Sequence, residues 1–66
     1  MQSYHNIEKS AFRKDEYVGY SQGEIFHIVK HGKREWTAFD EYWLRVYGPV
    51  PTLRDISLFL ENFIPA

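Results

Sequence analysis

The chain has 66 residues, of which twelve are Phe, Trp or Tyr, with no cysteine and a formal net charge of −1. The missing cysteine excludes disulfides and cysteine-ligated zinc, and the charge argues against wholesale neutralisation of nucleic-acid phosphates. A core this small supplies only about 3–5 kcal/mol unaided. That leaves an aromatic-filled core, each ring burying roughly 150–250 Å², or a second subunit as the source of stability.

The first residues, Met1-Gln2-Ser3-Tyr4-His5, show no basic segment followed by an apolar run, so no signal peptide is expected. No apolar stretch approaches the roughly 18 residues of a membrane span. A cytoplasmic location away from membranes is the expectation, and the absence of cysteine agrees with a reducing compartment. Basic residues exceed acidic ones in residues 9–34, and acidic exceed basic in residues 35–66. The mixture of apolar and charged residues reads as globular, and the expectation is one small α+β domain over residues 1–66.

In chain order, residues 4–10 are expected to form a first strand around Ile7, and the charged residues 12–16 a connection. Tyr17-Val18-Gly19-Tyr20 is β-prone, Ser21-Gln22-Gly23 is a turn signal, and Glu24-Ile25-Phe26-His27-Ile28-Val29 is a strong strand. Lys30-His31-Gly32 reads as a second turn, and residues 33–39 as a third strand. A three-residue loop ending in glycine places that glycine in the left-handed region. Two such loops would align Val18, Phe26 and Trp36 on one face, with Tyr17, His27 and Glu35 as a row on the other. A slip of one residue would exchange the faces.

Residues 40–51 are ambiguous. Tyr42-Trp43-Leu44-Arg45-Val46-Tyr47 fits a strand or a loop with buried aromatics, and Gly48-Pro49-Val50-Pro51 is expected to break regular structure. A helix is expected after Thr52, which with Asp55 forms a variant capping box. Leu53, Ile56, Phe59, Leu60 and Phe63 recur at helical spacing; Arg54, Asp55, Ser57, Glu61 and Asn62 take the polar side, and Leu58 falls off the stripe. A helix this short persists only by packing. The expected fold is therefore α+β: a small antiparallel sheet of three or four strands, covered on one side by the C-terminal helix.

Motifs for chemistry are sparse. His5, His27 and His31 do not converge with carboxylates at metal-ligand spacing, so neither a metal nor a cofactor is expected. A His27–Glu35 pair would raise the histidine's affinity for a proton, yet no serine or threonine shows a nucleophile signature, and no catalytic residue is assigned. Arg13, Lys14, Lys30, Lys33 and Arg34 form a basic set able to meet phosphates, although charged hairpin tips are also ordinary guards against aggregation. A three-stranded sheet followed by a helix resembles the layout of AP2-type and integrase arm-binding DNA-binding domains. That likeness lies at the level of fold, and it implies nucleic-acid binding as the alternative reading. The preferred reading is a non-enzymatic protein-interaction module. Its candidate contacts are Tyr42, Trp43 and Tyr47, because Trp and Tyr are enriched among interface hot spots. Its partner would be another protein or a second copy of the chain, which makes a homodimer one form of the module.

Overall fold

A computed structural model describes residues 4–65. Its elements are β1 (Ile7–Lys9), β2 (Glu16–Ser21), β3 (Glu24–Gly32), β4 (Glu35–Phe39), β5 (Arg45–Val50) and α1 (Leu53–Glu61). The strands form one antiparallel meander in the order β1-β2-β3-β4-β5. The α+β class stands, but five strands replace the expected three or four. The first strand keeps only three of the residues 4–10. The fifth runs straight through Gly48-Pro49, where a break was expected. Proline is tolerated there because β5 is an edge strand and no neighbour needs its missing N–H.

The first hairpin corrects the register. Gln22 and Gly23 both have positive φ, 52° and 77°, and make a two-residue turn of the kind that matches strand twist. Ser21 therefore faces Glu24, Gly19 faces Phe26, and Val18 faces His27. The one-residue difference from a three-residue loop sends Val18 to the uncovered face and brings Gly19 and Tyr17 under the helix. The second hairpin turns at Lys33-Arg34, with a bulge between Lys30 and Gly32. Away from the bulge the pairing lies four positions from a Phe26–Trp36 alignment, an even number, so Phe26, Ile28, Trp36 and Ala38 share one face as expected, with Ile28 opposite Ala38 and Lys30 opposite Trp36.

The core lies between this face and α1. Ile7, Phe26, Ile28, Trp36, Ala38, Ile56 and Leu60 are buried. Phe26 meets Phe59 and Phe63 edge-on, at ring separations of 6.0 and 5.0 Å. Tyr17 packs on Trp36 at 5.4 Å, and the ammonium groups of Lys9 and Lys30 lie over these two rings. Thr52 caps the helix as read: its Oγ1 accepts from the Asp55 N–H at 3.2 Å and donates to the Asp55 carboxylate at 2.8 Å. Leu58 is exposed, as its spacing predicts.

Ser57 is not on the polar side as expected. It is buried and exchanges bonds with Asn6: its Oγ donates to Asn6 Oδ1 at 3.0 Å, while Asn6 Nδ2 donates to the Ser57 carbonyl at 3.2 Å. Ser21 Oγ donates to the Leu60 carbonyl. These side chains tie the helix to the sheet by polar contacts that periodicity alone does not reveal.

Candidate functional site

With α1 on one face, no helix or strand among the described residues covers the other face of the sheet. Across it run Glu8 on β1, Val18 and Tyr20 on β2, Ile25, His27 and Val29 on β3, and Phe39 on β4, by register. Tyr20 and Ile25 are cross-strand partners and both are exposed. The Tyr20 hydroxyl donates to Glu8 at 3.2 Å, and the adjacent Glu8 carboxylate pushes the phenol above the usual tyrosine range. It stays protonated and bonded to the Glu8 carboxylate.

The loop of residues 40–44 folds over this face, and one aspartate organises it. Asp40 Oδ1 accepts from the N–H groups of Tyr42 and Leu44, both at 2.9 Å. The Asp40 carbonyl accepts from Trp43 N–H at 3.0 Å, and its own N–H donates to the Leu44 carbonyl at 2.9 Å. A carboxylate that gathers the amides following it is the ordinary turn-forming use of aspartate. The turn holds Trp43 at φ 62°, a region uncommon for a residue this large. The indole then lies flat on His27, with centroids 4.0 Å apart and an interplanar angle of 7°. It also meets Phe39 at 5.7 Å, and Phe39 meets His31 at 6.3 Å. Trp43 remains 49% exposed while Tyr42 and Leu44 project further, at 76% and 64%. Trp43 therefore belongs partly to a second apolar layer and partly to the surface.

The interaction residues expected from sequence separate. Tyr42 and Trp43 lie together at the free face. Tyr47 instead stacks on Phe59 of the helix, at 4.6 Å and 6°, on the opposite side of the sheet. The Tyr17, His27, Glu35 row does not form. Tyr17 is under the helix against Trp36, His27 lies under Trp43 and opposite Phe39, and Glu35 pairs with Gly32 at the far end of β4.

The basic set divides as well. Lys30 is engaged over Trp36 on the helix side, and Arg13 pairs with Glu16 at 3.3 Å. Lys14, Lys33 and Arg34 are exposed. The Lys30 N–H donates to the Asp15 carbonyl, which brings the β1–β2 loop and the β3–β4 turn to the same end of the sheet. Asp15, Glu16 and Glu35 lie at that end too. The sheet-plus-helix likeness to DNA-binding domains implies a basic free face. Glu8, Glu16 and Glu35 point the other way.

Two concave regions border the free face. A groove of about 230 Å³ is lined by Phe12, Arg13, Glu16, Val18, His27 and Trp43 among others. At the opposite end a cleft of about 280 Å³ is lined by Gly23, Glu24, Ile25, Phe26, Asp40, Glu41 and Tyr42. Phe12, read from sequence only as part of a charged connection, is 97% exposed. Its presentation is structured: Ser10 Oγ accepts from the N–H groups of Phe12 and Arg13 at 3.2 and 3.1 Å. The signal in the sequence was a lone aromatic in an aperiodic polar segment, just after a serine able to fold the loop.

Among the described residues, no group of three or more His, Asp or Glu side chains is arranged to hold a metal ion, and no helix is long and apolar enough to cross a membrane. No protein-family model, curated protein or solved structure matches the chain.

Proposed function

We propose that the protein is a non-enzymatic interaction module whose docking surface is the free face of the sheet, centred on Trp43 and bordered by Tyr20, Ile25, Tyr42 and Leu44. The observation that supports it is the Asp40-built loop. It holds a large aromatic at positive φ and presents it, half exposed, over a face that no helix covers. Strain of this kind costs about 1–3 kcal/mol and persists only where surrounding structure enforces it. In a domain with so small a core, a single-face fold has no need of it. Trp and Tyr at the centre of an apolar surface with a polar rim are the residue types that dominate binding energy.

Nucleic-acid binding is the alternative. It would have to use Lys14, Lys33 and Arg34 at one end of the sheet, with Arg13 and Lys30 already engaged. Its mark would be strongly salt-dependent affinity.

The test is site-specific photo-crosslinking in the cells that make the protein, with the reactive group placed at Tyr42 or Leu44 and, as control, at Arg54 on the exposed side of the helix. A discrete protein adduct from the face positions and none from the helix position is expected. Equal or absent labelling from all three overturns the reading.

A further inference from the structure

The exposed Phe12 and the cleft at Tyr42 lie at diagonally opposite corners of the free face. Phe12 belongs to the loop between β1 and β2. The cleft lies beyond β3 and β4, between the Gln22-Gly23 turn and the loop of residues 40–44. Their chemistries match. The tip Phe12-Arg13-Lys14 offers one apolar ring followed by two cations. The cleft offers Ile25 and Tyr42 beside Glu24 and Glu41, with no basic residue in its lining.

We propose that the occupant of the free face is a second copy of this chain, related by a two-fold axis lying in the plane of the face, oblique to the strands and at right angles to the line from Phe12 to the cleft. This rests on the reading of the free face as the docking surface. Such an axis lays the Phe12 corner of one protomer over the Tyr42 corner of its partner. Phe12 of each copy enters the cleft of the other, in the reciprocal contact that two-fold symmetry demands. Lys14 then approaches Glu24 and Glu41, while Trp43, Val18 and Ile25 pack across the centre.

The charge distribution selects this arrangement over one with the axis along the strands. That alternative would put Lys14, Lys33 and Arg34 over their own copies, and Glu24 and Glu41 over theirs. Like charges facing across an interface suppress a pairing.

The size of the face sets the strength. Five strands about 4.8 Å apart, each about six residues long, span roughly 20 by 20 Å. This is modest beside the ~800 Å² per partner of a standard complex, so dissociation in the micromolar range is expected. The edges offer no competing route. Pro49 lies on the β5 edge and β1 has three residues, both features that discourage strand addition.

Sedimentation equilibrium from about 1 μM to about 500 μM brackets that range. A reversible dimer is expected, weakened about tenfold or more by Phe12→Ala, as truncation of a buried hot-spot anchor does. Phe12 is almost fully exposed in the protomer, so this variant keeps its fold. Lys14→Glu and Glu41→Lys should each weaken the dimer, and the double variant should recover it, because each reversed charge then meets its opposite in the partner. A chain that stays monomeric at the highest concentration overturns the proposal. So does a dimer indifferent to Phe12→Ala and to the charge reversals, which would lie elsewhere. If the chain is monomeric yet crosslinks to a different protein from Tyr42, only the identity of the occupant falls. If it is monomeric and crosslinks to nothing, the docking reading falls with it.

Discussion

Replacing Gly19 by alanine tests the register on which the free face depends. Gly19 sits on β2 opposite Phe26, under the helix. A Cβ there would lie 2.6 Å from Leu60 Cδ1 and 3.0 Å from Ile28 Cδ1, against a comfortable carbon–carbon separation of about 3.5–4.0 Å. Both obstructing atoms are side-chain tips, so the core yields by moving rotamers, at a cost of about 1–3 kcal/mol for overpacking. Alanine regains roughly 0.5–1 kcal/mol from the lower entropy of its unfolded chain. The net is a destabilisation of about 1–2 kcal/mol, or a fall in Tm of roughly 5–15 °C for a domain of this size. Thermal and urea unfolding followed by circular dichroism would measure it, at fixed protein concentration because association shifts Tm. Leu60→Val makes room at the contact, so the double variant should cost less than the sum of the singles. In a register where Gly19 faces solvent, alanine would stabilise the strand. A neutral or raised Tm for Gly19→Ala therefore refutes the packing described here, and with it the assignment of Val18 and His27 to the free face.

Two further substitutions probe the polar features that sequence periodicity did not show. Ser57→Ala leaves the buried Asn6 Oδ1 without its donor and should cost about 1–3 kcal/mol; an unchanged urea midpoint would mean the pair is unimportant to docking of the helix. Asp40→Ala removes the acceptor for two loop amides. Because the site is exposed, a loss of about 1 kcal/mol is expected, with faster hydrogen exchange at Tyr42, Trp43 and Leu44 and unchanged exchange in β3. Undiminished protection in the loop would show that the Asp40 carboxylate is not what holds it.

The sheet and helix were legible where one physical signal dominates. The period-3.6 stripe from Leu53 to Phe63, with its threonine cap, announces a helix, and the β-prone run around Phe26 announces a strand. The hairpins were less legible, because Ser21-Gln22-Gly23 supports both a two-residue and a three-residue turn. The difference of one residue exchanges Val18 with Gly19. The fifth strand was hidden by Gly48-Pro49, which breaks interior strands but not an edge. Of the candidate contacts, Tyr42 and Trp43 were legible as aromatics in excess of what a one-face core consumes. Phe12 was not, since a single exposed ring leaves no period.

By itself, then, the sequence determined the ingredients: no disulfide, a capped amphipathic helix, strands with one apolar face, and more aromatic surface than the helix can cover. Those follow from composition and local spacing. Which aromatics are surplus was decided only by the tertiary structure. Tyr47 and Trp43 are four residues apart, yet one stacks on the helix and the other on the free face. The bulged pairing of β4 with β5 and the loop built on Asp40 send them to opposite sides of the sheet, and no local propensity encodes that choice.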